Sequence, residues 1–180
     1  MQTVNVNGRR VSIAKFQQMH GLRVSGSLDL RDCTALTALP DGLSVSGSLD
    51  LRDCTALTAL PDGLHVSGSL YLSGCTALTA LPDDLHIGGS LDLSGCTALT
   101  ALPDDLRVGG WLYLRRCTAL RNIFRAGADA RGYEFYGAQL ANGWRILAGC
   151  RNFSPAEARE HWAEGTECRM LAEHVIAAGG

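Results

Sequence analysis

Seven cysteines and five histidines hold the readiest chemistry in this 180-residue chain. Nucleophilic catalysis needs a thiolate, a base within hydrogen-bond reach and a group that orients the base. Towards the C-terminus, Cys150 and Cys168 could supply the nucleophile, and His161 and His174 the base. The two histidines fall on separate predicted helices, and a lone histidine beside a tryptophan is more often a packing residue, so no catalytic residue is assigned. The other five cysteines, Cys33, Cys54, Cys75, Cys96 and Cys117, recur at a constant interval of 21 residues. Zinc sites need clustered pairs at short spacing. An interval this long and regular instead reports a repeating fold in which each thiol is a small buried hydrophobe. The odd total points to reduced thiols in a cytoplasm. No metal and no cofactor is expected, and the Gly-Ser pairs lack the lysine and helix of a phosphate loop.

Carboxylates are the second candidate group. Asp41, Asp62, Asp83 with Asp84, and Asp104 with Asp105 each follow a proline at the repeat interval. If the repeats stack, these side chains align into an acidic ridge, which is stable where it is solvated or met by a cation or a basic partner. The overall charge of −2 hides the asymmetry: residues 26–120 carry eleven acids against five bases, a net of −6, while residues 1–25 carry four bases and no acid. An acidic strip disfavours direct nucleic-acid binding, because phosphates attract the opposite sign. A second outward column reads Asp29, Asp50, Tyr71, Asp92 and Tyr113, and near its end Trp111, Tyr113 and Arg115 alternate outward. Tyrosine, tryptophan and arginine are enriched at interface hot spots. Cover by the C-terminal segment is the alternative for the aromatics, and drift of a tolerant surface is the alternative for the column.

These residues are positioned by four copies of one segment, GSLDLRDCTALTALPDGLSVS at 26–46 and its near-replicas at 47–67, 68–88 and 89–109, with a fifth that decays after Leu120. In each, S-L-x-L alternates apolar and polar residues as a half-buried strand does, and L-x-V before it has the same period. T-A-L-T-A-L-P repeats leucine every third residue, which suits a 3₁₀-like or irregular turn closed by proline. A single turn cannot cover its own leucines, so the turns must stack into a β-rich repeat solenoid with parallel strands. The ends need caps. Residues 1–25 supply a β-hairpin turning at Asn7-Gly8, with Ala14 to His20 leading into the first coil. Residues 121–180 supply an α+β cap: a hairpin turning at Asn142-Gly143, then two helices. The first is predicted at about 155–164, capped by Ser154, and the second starts near Thr166 with Met170, Leu171, Val175 and Ala178 along one side.

The string from Leu49 and Leu51 through Cys54, Leu57 and Leu60 to Pro61 resembles the strand-and-turn core of leucine-rich-repeat proteins, with cysteine where asparagine often stands. The likeness runs over roughly residues 22–123. It departs in the added L-x-V segment, which predicts a second short sheet and a straighter coil than the usual horseshoe. The repeats also look like those of bacterial effector ubiquitin ligases, but Cys150-Arg151-Asn152 and Cys168-Arg169-Met170 do not match that family's Cys-x-Asp motif. Ala148-Gly149-Cys150-Arg151, Phe153, Glu157-Ala158 and His161-Trp162 resemble C-terminal segments of tailed-phage and prophage proteins. The resemblance implies a phage setting and a host-cell cytoplasm, and the chain shows neither a signal peptide nor a membrane span. A non-enzymatic protein-binding module is therefore expected, an inhibitor or adaptor of a host defence or nucleic-acid-processing protein with a basic surface. A self-assembling structural component is the alternative.

Overall fold

The structure, a computed structural model, describes residues 3–121, 123–131, 134–140, 143–148 and 151–179. The chain divides into two units, Met1–Leu120 and Arg121–Gly180. The first opens with the antiparallel pair β1 (Thr3–Val6) and β2 (Arg9–Ser12), turned by Asn7 and Gly8 at φ 50° and 80°. Both values lie in the left-handed region that a two-residue hairpin turn requires. A five-residue helix not anticipated from the sequence, α1 (Ile13–Gln17), follows; Ser12 caps it by accepting the Lys15 N–H at 3.3 Å, and Ile13 and Phe16 are buried beneath it.

The chain then coils. Each coil contributes two strands of two residues: β3 (Arg23–Val24) and β4 (Leu28–Asp29), β5 (Ser44–Val45) and β6 (Leu49–Asp50), β7 (His65–Val66) and β8 (Leu70–Tyr71), β9 (His86–Ile87) and β10 (Leu91–Asp92), β11 (Arg107–Val108) and β12 (Leu112–Tyr113). They form two five-stranded parallel sheets, β11-β9-β7-β5-β3 and β12-β10-β8-β6-β4. Every residue pairs with the one 21 places away, as Leu49 does with Leu70 and Val45 with Val66. The two sheets donate in opposite directions. Leu28 N–H reaches forward to the Ser48 carbonyl at 2.9 Å, whereas Ser44 N–H reaches back to the Leu22 carbonyl at 2.8 Å. The strands are short because the pair between them must turn the chain at close quarters. A Cβ added at Gly68 would sit 2.7 Å from the Gly47 carbonyl carbon and 2.7 Å from Ser48 Oγ, so only glycine lets successive corners approach.

Inside run unbroken columns of leucine: Leu49, Leu51 and Leu57 in one coil, with Leu70, Leu72 and Leu78 above them, are fully buried. Each is worth about 1.5–3 kcal/mol relative to exposure, which is why the T-A-L-T-A-L stretch follows its leucines rather than a regular ladder. Its hydrogen bonds are partly local, as in Leu57 N–H to the Cys54 carbonyl at 3.1 Å, a three-residue turn of the 3₁₀ kind, and partly between coils, as in Thr79 N–H to the Thr58 carbonyl at 3.1 Å. The cysteines close the same interior. Cys54, Cys75, Cys96 and Cys117 each donate S–H to the carbonyl of the leucine that follows the strand in the preceding coil, Leu30, Leu51, Leu72 and Leu93, at 3.0–3.2 Å. The thiol thus serves both as apolar filler and as a second donor to a carbonyl that already accepts the N–H of the cysteine in its own coil.

The first coil is sealed by side chains that imitate a strand. Asn7 Nδ2 donates to the Arg23 carbonyl at 2.9 Å while its Oδ1 accepts from the Ser25 N–H at 3.2 Å, so one carboxamide satisfies the open edge of β3. The Gln17 carboxamide lies 2.8 Å from Thr37 Oγ1; with its oxygen turned to the coil it accepts the Thr37 and Ala38 N–H groups at 3.2 Å.

In the second unit β13 (Ile123–Ala128), β14 (Glu134–Leu140), β15 (Gly143–Ala148) and β16 (Arg151–Phe153) form an antiparallel sheet in sequence order, packed by α2 (Pro155–His161) and α3 (Glu167–Gly179). Its core is Phe135, Ile146, Phe153, Ala158, Ala172 and Val175. The expected hairpin is present with its turn one residue earlier: Leu140 pairs with Gly143, which makes Gly143 a strand residue, and Asn142 lies outside the described residues. The capping box at Ser154 and Glu157 forms as expected, with bonds of 3.3 and 2.7 Å, but α2 ends at His161 because Trp162 turns extended to pack on Phe135 and Phe153. The buried face of α3 is Cys168, Leu171, Ala172, Val175 and Ile176, the spacing of one helical stripe, and Met170 stands 61% exposed on the other side. The side chain of Ala178 lies outside the described residues. No helix among the described residues is long and apolar enough to cross a membrane.

Candidate functional site

The outward face of the sheet containing β4, β6, β8, β10 and β12 carries three parallel columns, because strand residues of alternate parity face out and the register repeats without slip. The central one is the predicted column Asp29, Asp50, Tyr71, Asp92, Tyr113, each residue the Cα partner of the next. On one side stand Ser27, Ser48, Ser69, Ser90 and Trp111. On the other stand Arg31, Arg52, Ser73, Ser94 and Arg115.

The serine column is structural: Ser27 Oγ accepts the Ser48 N–H at 3.0 Å, the pattern repeats upward, and Ser90 Oγ accepts the Trp111 N–H at 2.9 Å. Trp111 takes over that column in the last coil as a half-buried ring, with Tyr113 42% exposed beside it. In the first two coils the central acids do not stand alone. Arg31 holds Asp29 through Nη2–Oδ2 at 2.7 Å and reaches Asp50 at 3.7 Å; Arg52 holds Asp50 at 2.6 Å and lies over the Tyr71 ring, 5.6 Å from its centre. The hydrogen bond from Arg31 keeps the Asp29 carboxyl below its ordinary value, and Asp50 raises Arg52 further into its charged range by the same means. Asp29 and Asp50 are therefore neutralised locally, a pairing the sequence reading did not draw. The signal was present in D-x-R at 29–31 and 50–52, against D-x-S at 92–94.

The acidic ridge exists as a row of exposed corners: Asp41, Asp62, Asp83, Asp84, Asp104 and Asp105 all lie at the surface in the turn after the proline. His20 Nδ1 approaches Asp41 Oδ2 at 3.7 Å. Two or three residues further along the later coils, on the other sheet, comes a column that was not singled out, Arg23, Ser44, His65, His86 and Arg107, each the Cα partner of the next. From Asp62 upward, acid and base therefore run side by side along the solenoid.

The thiol candidates meet different surroundings. Burial pushes the Cys54 and Cys75 thiols up to about 12 and Cys117 to about 11. Cys168 is raised as well, first by burial and then by the hydrogen bond to Asp129, whose Oδ2 lies 3.6 Å away and is itself held by Arg131 Nη2 at 2.8 Å. A nucleophilic cysteine needs the opposite environment, one that stabilises its thiolate. The partners of Cys168 are an acid and a guanidinium with no histidine among them. His161 packs at a tilt on Phe153 at 4.9 Å and edge-on to Trp162 at 5.2 Å. Cys150 lies outside the described residues. No group of three or more histidine, cysteine, aspartate or glutamate side chains among the described residues could hold a metal ion. No protein-family model, curated protein or solved structure matches the chain.

Proposed function

We propose that the chain is a non-enzymatic protein-binding module, encoded by a phage or prophage and acting in the host cytoplasm as an inhibitor or adaptor of a defence or nucleic-acid-processing protein. The leucine-rich-repeat likeness and the phage-like tail support that setting. The observation that carries the reading is where the coils differ. Across the four full repeats the inward positions keep leucine and cysteine throughout, apart from Val66 becoming Ile87 between neighbouring coils. The substitutions otherwise fall on outward positions: Asp50 to Tyr71, Arg52 to Ser73, Ser44 to His65 and Gly63 to Asp84. A surface under no demand would drift on all sides, whereas the changes in the central column introduce tyrosine, a residue favoured at interface centres. The acidic ridge gives the partner a basic surface and makes direct nucleic-acid contact unfavourable.

Affinity capture from host lysate with mass spectrometry, repeated with Asp83, Asp84, Asp104 and Asp105 all changed to lysine, tests this. One partner held by the natural chain and lost by the variant is expected. A partner retained equally by both, or none at all, overturns the reading. The second reading is self-association, favoured by the adjacent ridge and the Arg23, His65, His86, Arg107 column, which are complementary to each other in a second copy. Molar mass by light scattering at low and at high salt separates the two, since an assembly held by opposite charges comes apart as salt screens them.

A further inference from the structure

We propose that Asp92 and Tyr113 form a docking site for an arginine side chain presented by a partner protein, an inference that rests on the binding-module reading. The coils supply their own template. In the second coil Asp50 grips Arg52 with two prongs, Nη2 to Oδ2 at 2.6 Å and Nε to Oδ1 at 2.9 Å, and the same guanidinium lies 5.6 Å from the centre of the Tyr71 ring in the coil above. Asp50 and Tyr71 are Cα partners across β6 and β8. Two coils further on, Asp92 and Tyr113 are Cα partners across β10 and β12 in the same column, but Ser94 stands where Arg52 stood. Arg31, which reaches Asp50 from the coil below, is matched below Asp92 by Ser73. The acid and the ring of the arginine clamp are thus repeated, and both of its arginines are replaced.

The surroundings differ accordingly. The Asp50 side chain is 17% exposed beneath two guanidinium groups. Asp92 accepts the Ser94 N–H at 2.9 Å, and Tyr113 is 42% exposed. Tyr71 borders Asp92 on the other side, so the carboxylate sits between two phenol rings. A planar guanidinium satisfies both carboxylate oxygens and lies flat on an aromatic face in one pose, which a lysine ammonium cannot do.

The test is an NMR titration of the full isotope-labelled chain with acetyl-arginine-methylamide and, separately, with acetyl-lysine-methylamide, read at the Ser94 amide and the Tyr113 ring. A saturating response to the arginine compound is expected, about threefold or more tighter than to the lysine one. Asp92→Asn should abolish it. Ser94→Arg should abolish it as well while the chain stays folded, because Arg52 already occupies the same setting in the second coil. Asp62→Asn should leave it unchanged. A response of equal strength at Asp62 and Asp83, or one that survives Ser94→Arg, overturns the proposal. Failure here leaves the binding-module reading to be judged by capture, and an empty capture leaves this titration unaffected.

Discussion

A thiol buried away from water resists losing its proton, and in this fold that burial is repeated along a column. Below the ordinary thiol value of 9.0 the folded and unfolded chains are both protonated, and stability is whole; between that value and about 12 the unfolded chain ionises while Cys54 and Cys75 do not. Stability therefore falls as pH rises, by about 1.4 kcal/mol for each such thiol at one pH unit above its unfolded value. Thermal melts should show a lower midpoint at pH 10 than at pH 8. Cys75→Ala should shrink that difference by about one thiol's share, while lowering stability at neutral pH by about 1 kcal/mol, because the buried sulfur's packing and its S–H bond to the Leu51 carbonyl are lost although that carbonyl keeps the Cys54 N–H. An alkaline loss of the same size in the variant would remove the column from the explanation. The burial of these cysteines was legible in their 21-residue interval. The S–H bond to the preceding coil was not, since a period fixes which residues stack but not which atoms meet. Asp32, Asp53 and Arg116 make the same point: they sit just before the cysteine with φ of 57°, 59° and 60°, where Gly74 and Gly95 stand in the other coils. Comparing R-D-C with S-G-C in the sequence could have exposed that left-handed position.

Among the elements, the hairpin and helix of the first unit act as a plug that buries Val4, Val6, Ile13 and Phe16 and closes the strand edge with two carboxamides. Asn7→Ala removes both bonds to the β3 edge and should lower the unfolding free energy by about 1 kcal/mol, read as a lower denaturant midpoint, with faster hydrogen exchange at the Ser25 amide. Unchanged exchange at Ser25 would show that β1 and β2 close the coil by apolar contact alone. The turn at Asn7-Gly8 was readable because few residues tolerate positive φ. Helix α1 was not, because five residues are too few to display a helical period, and its signal is confined to a capping serine and two apolar positions. In the second unit β13 and β16 escaped for a related reason. Ile123–Ala128 reads IFRAGA, without clean alternation, and Arg151–Phe153 is three residues long. Met170 was placed on the packed face by its hydrophobicity, but the stripe of α3 is decided by its neighbours at one-turn spacing, which leave Met170 to solvent.

For the molecule as a whole, the invariance of the register is the property from which most else descends. Removing residues 47–67 deletes one complete coil and brings the strands before and after it into the same pairing, so the shortened chain should fold cooperatively with a lower denaturant midpoint. Removing 48–67 instead takes one residue fewer, shifts the following strands by one and turns their leucines outward. Circular dichroism should then show loss of the folded state, and a stable fold from the second deletion would mean that the coils are not held by their register. The solenoid was legible because repetition announces itself; the arginine clamp on its face was not, because it depends on comparing one coil with another at the level of partners. Interchangeable coils carry a further consequence for descent. Recombination between copies of the coding sequence gains or loses finished rungs in a single event, so a lineage can lengthen this chain, or bring a new outward side chain beside an old one, without ever passing through a misfolded ancestor.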